Sequence, residues 1–368
     1  MKVLLTGGGT GGHILPLAAV YKKLKQLTLE KGMDLEARYY GPESSFNSYL
    51  EFEGIVVKKI LGVKFRRYWT PLNFLDLIKA PLSILESFFK VLSFGPDVAF
   101  SKGGSGALFI LFACWVCRVP IIIHESDTMP GLTNRLSSFF AKKIELGWES
   151  AKKYFPNKNV QVVGVPLREY SVTVKKNTSE KPLILILGGS QGSQRINNFI
   201  FKNLESLLIK FQILHQVGPA NYQDWPKEAR EGYKAVASFE NSELMGKAYS
   251  EADLIISRSG SAIFEIALFG KPSILIPLAE SANDHQKVNA YEYAKSGTAF
   301  VIEEKNLTIE KLLSEIERIF NDKNICNKMS EAAKLFSKPN ATEIVAKDIL
   351  GLYEKISPAP TNRNRAKD

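Results

Sequence analysis

Short apolar runs alternate along this chain with longer stretches whose apolar residues recur at i, i+3 and i+4. Residues 3–6, 36–40, 56–60, 98–101 and 121–124 form one series of strand-like runs, and 183–187, 212–216, 254–257 and 273–277 form a second. Helical periodicity fills the gaps, as at 15–27 and 197–208. Strands alternating with helices predict parallel sheets covered on both faces. Two such series predict an α/β protein with two Rossmann-like domains.

The periodicity lapses between the two series. Residues 164–181 are polar, contain Pro166 and show no helical period, so they read as a linker. This divides the chain into a first domain, 1–163, and a second, 182–340. A last helical pattern, 341–355, follows Pro339, and the Pro-containing polar tail 356–368 reads as disordered. Each half opens with an apolar strand running into a glycine loop.

The first loop, Gly7 to His13 (GGGTGGH), follows strand 3–6. Glycines allow close backbone approach to a ligand, and the N-terminus of the next helix supplies free N–H groups and positive potential. Thr10, Gly11 and Gly12 are its candidate binding residues. His13 has the chemistry of a general base, the alternative being a side chain that caps the loop. The second loop, Gly188 to Arg195 (GGSQGSQR), repeats the design with Ser190 and Gln191 as added donors. It lacks the lysine of a nucleotide-hydrolysing P-loop. Two anion-cradling loops, one per half, are expected to face each other across a cleft.

Two further loops carry polar chemistry. After strand 254–257 comes SRSGSAIFEIALFG, with Glu265 early in a helix. A carboxylate there can accept both hydrogen bonds of a ribose diol, or it can simply complement the helix dipole. Asp284, His285, Gln286 and Asn289 follow in SANDHQKVNA, where Gln286 and Asn289 share a helix face. After strand 121–124 comes HESDTMPGLTNR, with His124, Glu125 and Asn134 at the end where open α/β sheets bind ligands.

Composition removes several classes. Three cysteines cannot make a disulfide framework, and Cys114 and Cys117 lie inside the apolar run 107–117, where helix packing explains them. That run is too short to span a membrane. The pattern enters a strand at residue 2, so no signal peptide is expected. No Asp-x-Asp pair occurs and the four histidines have no metal-ligand spacing, so neither metal nor cofactor is expected.

Together these motifs resemble those of the MurG family. The resemblance rests on GGGTGGH-x-x-P, the SKGG turn at 101–104, HES at 124–126, GLTN at 131–134, GGSQG at 188–192 and DHQ-x-x-NA at 284–290. It runs in order over nearly the whole chain. It implies a GT-B fold whose last helix returns to the first domain. It implies inverting, metal-independent transfer of N-acetylglucosamine from UDP-N-acetylglucosamine to the 4-hydroxyl of an undecaprenyl-pyrophosphoryl-linked muramyl-pentapeptide. By motif position, Thr10, Gly11, Gly12, Asn134, Arg168, Ser190, Gln191 and Gln286 meet the donor, Glu265 holds the ribose, Leu244 meets the uracil and His13 is the base. Gly103, Gly104, His124 and Glu125 fall on the acceptor side. Two departures stand out. Ser105 replaces a tyrosine common in the family, and the interval from Arg258 to Glu265 is one residue short. A GT-B relative acting on another lipid, such as diacylglycerol, is the alternative.

Charge adds a partner. The formal net charge is +10, and residues 1–168 hold 22 Lys/Arg against 13 Asp/Glu. Lys64, Arg66, Arg67 and Trp69 lie in VKFRRYW, just before an apolar helical pattern at 72–94. Cations and aromatics beside such a helix suit an anionic membrane surface. The expected location is the cytoplasmic face of the cell membrane, held peripherally. No recognition motif for nucleic acid accompanies the charge.

Overall fold

The computed structural model describes residues 1–61, 71–104, 106–170, 180–226, 230–239, 241–281 and 284–357, leaving aside the side chains of 71–78. Lys64, Arg66, Arg67, Trp69 and Ser105 lie outside the described residues, as do linker residues 171–179 and tail residues 358–368. The chain divides into two compact units. The first is Met1–Ser126, Pro130–Pro166 and Asn340–Asp368; the second is Asp127–Met129 and Leu167–Pro339.

The first unit is built on strands β1 (Lys2–Thr6), β2 (Glu36–Gly41), β3 (Val56–Lys59), β4 (Val98–Ser101), β5 (Ile121–Glu125), β6 (Lys143–Leu146) and β7 (Val160–Val162). They pair in the order β3-β2-β1-β4-β5-β6-β7, every pair parallel. The second unit contains β8 (Leu183–Leu187), β9 (Gln212–Gln216), β10 (Tyr233–Val236), β11 (Leu254–Ser257), β12 (Ser273–Leu275) and β13 (Ala299–Val301). Their order is β10-β9-β8-β11-β12-β13, again parallel throughout. Each is a doubly wound Rossmann-like sheet. The order reverses between β1 and β4 in one and between β8 and β11 in the other. Crevices at the carboxyl ends of strands at such switch points are where open α/β sheets take ligands.

Burial explains the sequence pattern. Strands β4, β5 and β11 are buried at every position, because helices cover both faces of a parallel sheet. Such strands read as continuous apolar runs rather than as alternations. Val3, Leu5, Ile14, Leu17, Val20, Val98, Phe100 and Ile122 form the core of the first unit. The C-terminal helix Ala341–Ile356 adds Val345, Ala346, Ile349 and Leu350 to that core and packs on helix Gly11–Glu30. Ile184, Ile186, Ile200, Leu204, Ile213, Leu254, Ile256 and Ile274 lie at the centre of the second core.

One helical pattern is interrupted. The run expected as one helix at 197–208 is two, Gln194–Lys202 and Leu204–Leu208. Asn203 sits at the junction with φ −110°, and its Nδ2 donates to the Phe199 carbonyl at 2.8 Å. A side chain that bonds its own backbone competes with the helix at that point.

Helix Pro71–Phe94 leaves an apolar face uncovered. Leu82, Leu85, Phe89 and Leu92 are more than half exposed, and Trp115 on the neighbouring helix Ala107–Val116 is 50% exposed. Pro81, Ile84, Leu85, Phe88, Phe112 and Val116 line a groove between these two helices. Among the described residues no helix is long and apolar enough to cross a membrane.

Candidate active site

In the first unit, β1 and β4 flank the switch point, and the loops that follow them touch. Lys102 N–H donates to the Thr6 carbonyl at 3.0 Å. Gly104 has φ +90°, and a Cβ there would lie 2.6 Å from the backbone of Gly8. Only glycine supports both that conformation and that approach. The SKGG turn thus backs the first glycine loop. Tyr39 Oη donates to the Gly7 carbonyl at 3.0 Å, and Ser44 Oγ donates to the Gly9 carbonyl.

Helix Gly11–Glu30 starts directly at this loop. Its first turn carries no acidic side chain, and the residue before it, Thr10, makes no side-chain cap. Its leading N–H groups therefore present positive potential at the end of β1. His13 lies in the first turn, half-buried, with Nδ1 3.0 Å from Thr10 Oγ1. When Nδ1 carries the proton and donates to Thr10, Nε2 is the basic nitrogen.

His124 and Glu125 end β5 with their side chains turned inward. His124 is fully buried. Its Nε2 lies 2.7 Å from the Gly164 carbonyl, which can only accept, so Nε2 carries the proton. Nδ1 then accepts from the buried Lys102 ammonium at 2.6 Å. Burial, and then the Lys102 charge, hold the imidazole pKa well below the ordinary range. A neutral His124 that braces Lys102 is a fixed part of the loop rather than a proton carrier. Lys102 Nζ also donates to Ser126 Oγ. Glu125 Oε2 accepts from Gly131 N–H at 3.1 Å and from Asn134 Nδ2 at 2.9 Å. Asn134 also donates to the His124 carbonyl at 3.2 Å and lies beneath Gly103, where a Cβ would meet its Oδ1 at 2.5 Å. His124, Glu125, Asn134, Gly103 and Gly104 are therefore one connected group, as their shared place at the strand ends requires.

In the second unit, β8 runs into Gly188 to Gly192 and then helix Gln194–Lys202. Gly192 has φ +81°, and a Cβ there would lie 2.0 Å from the Val217 carbonyl oxygen. Ser190 is half-buried and Gln191 exposed. Ser193 caps the helix by accepting from Ile196 N–H at 3.4 Å. Arg258, buried at the end of β11, donates to Ser193 Oγ at 2.7 Å and to the Ile276 carbonyl at 3.0 Å, and pairs with Glu304. Arg258 thereby ties the second glycine loop to the loops after β11 and β12.

Glu265 lies in the first turn of helix Ala262–Leu268. Its Oε1 accepts from Tyr170 Oη, and its Oε2 accepts from Tyr249 Oη at 3.0 Å. Arg168 lies 5.8 Å from the centre of the Tyr170 ring. The sequence pattern marks neither tyrosine: Tyr170 stands in the polar linker, and Tyr249 reads as one more buried helix position. Gln286 lies in the first turn of helix His285–Ala294, and its Oε1 accepts from Leu278 N–H at 3.1 Å. Asn289, on the same face, donates to the Ser259 carbonyl at 3.1 Å and accepts from Thr128 N–H at 2.9 Å. Leu244 is 45% exposed in the first turn of helix Ser242–Glu251, capped by Asn241. No group of three or more metal-binding side chains occurs among the described residues.

Two doubly wound sheets, each with a glycine loop at its switch point, make the architecture of two Rossmann-like domains that GT-B glycosyltransferases have. The comparisons agree with that class. Residues 3–145 match the glycosyltransferase family 28 N-terminal domain, and residues 183–345 match the family 28 C-terminal domain. A relative from Clostridium kluyveri is 35% identical over 96% of this chain and 99% of its own. One from Clostridium botulinum is 33% identical over 94% and 99%. Both carry the name UDP-N-acetylglucosamine--N-acetylmuramyl-(pentapeptide) pyrophosphoryl-undecaprenol N-acetylglucosamine transferase. The crystal structure of MurG from Acinetobacter baumannii superposes with a TM-score of 0.70 at 26% identity, over 95% of this chain and 99% of that one. The chain belongs to the MurG family of glycosyltransferases.

Proposed function

We propose that this enzyme transfers N-acetylglucosamine from UDP-N-acetylglucosamine to the 4-hydroxyl of a lipid-linked muramyl-pentapeptide, with inversion at the sugar carbon. The observation that carries this reading is similarity to the Clostridium relatives along essentially the full length of both chains.

In the reaction, the acceptor oxygen forms a bond to the sugar's anomeric carbon as the bond to UDP breaks on the opposite face. His13 Nε2 takes the hydroxyl proton. In this step Nδ1 carries the proton and the Thr10 hydroxyl, 3.0 Å away, accepts from it and orients the ring. The diphosphate leaves with its negative charge, which the backbone N–H groups around Ser190 and Gln191 and the N-terminus of helix Gln194–Lys202 are suited to stabilise. That helix has no acid in its first turn. No metal ion is needed in this scheme. Glu265 holds the ribose diol, Leu244 meets the uracil, and Arg168 and Gln286 contact the donor. Thr10, Gly11 and Gly12 approach it through backbone and hydroxyl groups. Asn134 braces its loop through Nδ2, which donates to Glu125 and to the His124 carbonyl, and its Oδ1, buried without a hydrogen-bond partner among the described residues, contacts the donor.

The acceptor's lipid brings the enzyme to a membrane. Support comes from the uncovered apolar face of helix Pro71–Phe94 and the excess of cations in residues 1–168. An apolar face flanked by cations suits peripheral attachment to an anionic cytoplasmic surface.

Transfer of labelled N-acetylglucosamine from UDP-sugar to a lipid-linked muramyl-pentapeptide tests the assignment. Labelled lipid product is expected. Folded protein that leaves this acceptor unglycosylated but glycosylates diacylglycerol would overturn it.

A further inference from the structure

Glu265 meets two phenols that come from different parts of the second unit. Tyr249 is carried by helix Ser242–Glu251 and is fully buried. Tyr170 follows Arg168 in the segment leading out of the first unit. Their rings are locked together around Phe269. Tyr249 stacks on Phe269 with centroids 5.0 Å apart and planes 14° apart. Tyr170 meets Phe269 edge-on at 5.3 Å and Tyr249 edge-on at 6.4 Å. Each hydroxyl addresses a different oxygen of one carboxylate.

An ionised carboxylate has about four acceptor positions, two on each oxygen. The two phenols take one on each oxygen, which leaves one on each. That remainder matches a cis-diol, which donates one hydrogen bond to each oxygen. We infer that Tyr170 and Tyr249 are positioning residues that fix the plane of the Glu265 carboxylate, so that it reads both hydroxyls of the donor's ribose. The inference rests on the assignment of Glu265 to the ribose. Burial, and then the charge of Glu265, raise the pKa of both phenols, so they remain donors at any working pH. A carboxylate free to rotate would lose orientation before losing charge. The phenols therefore act on discrimination between diol and single hydroxyl more than on binding of the diphosphate.

The test is calorimetric binding of UDP and of 2′-deoxy-UDP to the full chain, with Glu265→Gln, Tyr170→Phe and Tyr249→Phe compared to the parent. Both phenylalanine variants keep the ring packing and remove only a hydroxyl. The parent is expected to prefer UDP about tenfold or more, because a site built to pair a hydroxyl rejects the ligand that lacks it. Tyr170→Phe and Tyr249→Phe should each cut that preference several-fold, raising KM for the UDP-sugar while kcat stays near the parent value. A melting curve identifies any variant that fails to fold, and the other phenol, on a separate segment, then carries the test. If the parent discriminates, Glu265→Gln does not, and the folded phenylalanine variants discriminate like the parent, the positioning role is overturned and the ribose assignment survives. If the parent itself binds both ligands equally, the ribose assignment falls, and the positioning role with it.

Discussion

His13 serves as a base through Nε2 in the tautomer whose Nδ1 carries the proton, which the neighbouring Thr10 hydroxyl can accept. With Nδ1 donating to Thr10 Oγ1 at 3.0 Å, the lone pair sits on Nε2. His13→Ala is expected to lower kcat by about 10²–10⁴-fold, the usual loss on removing a general base, with UDP affinity largely kept. Single-turnover transfer beside UDP calorimetry checks both halves, and near-parental turnover would remove His13 from the chemistry. His124 shows why a residue type alone misleads. Its place at the end of β5 was legible in the sequence, but its protonation was not. The Gly164 carbonyl that takes its Nε2 proton and the Lys102 ammonium that adds to burial in keeping it neutral are 40 and 22 residues away. Glu265 gives the same lesson. Its position early in a helix was readable, whereas the phenols that orient it lie 95 and 16 residues distant in sequence.

Elements were legible to the extent that burial is uniform along them. Strands β4, β5, β8 and β11 are apolar runs, with polar residues only at the carboxyl ends of β4, β5 and β11, because helices cover both their faces. The sequence pattern does not mark strands β6, β7, β10 and β13. Strand β6 (KIEL) contains two charged residues, and β7 and β13 are only three residues long. The charge in β6 has a consequence. Glu145 is fully buried, and burial, then the carboxylate of Asp348 on the C-terminal helix, raise its pKa well above the usual range, against a smaller opposing effect of Lys143 and Lys102. Lys143 makes its ion pair with Asp348. A carboxyl whose pKa is raised by folding contributes stability that is fully present below its unfolded value, about 4.3, and is lost as the pH rises through the folded one. Glu145→Gln should therefore flatten the decline of stability between pH 5 and pH 8 and leave the protein more stable than the parent at the upper end. Urea unfolding across that range measures it. Parallel curves for the two proteins would mean that Glu145 is not the titrating group.

At the scale of the whole molecule, charge and apolar exposure are unevenly spread. The cation excess belongs to residues 1–168, and the uncovered Leu82, Leu85, Phe89 and Leu92 belong to the same part of the chain. Each cation close to an anionic surface contributes about 1 kcal/mol, so Lys64, Arg66 and Arg67 together would hold the enzyme reversibly. Replacing these three by alanine is expected to weaken binding to phosphatidylserine vesicles by about two orders of magnitude at low salt, with UDP binding unchanged. Vesicle sedimentation reads the effect. If binding is unaltered, the charge serves solubility rather than attachment. Leu85→Ser should weaken the same binding at any salt concentration, because it removes apolar surface without adding charge, and salt does not screen that component.

The sequence by itself determined the α/β class, the two sheets and the glycine loops, because each depends on neighbours a few residues apart. Apolar runs, helical periods and strand-to-glycine junctions are local properties of a chain. The tertiary structure decided the order of the strands, and so placed the loops after β1 and β4, and after β8 and β11, side by side at the two switch points. It also decided that His124 is sealed, that Arg258 braces the second glycine loop and that two tyrosines grip Glu265. Those facts depend on which distant side chains are packed together out of water. There an unpaired charge or donor is costly, and each polar group must find whatever partner the fold brings to it.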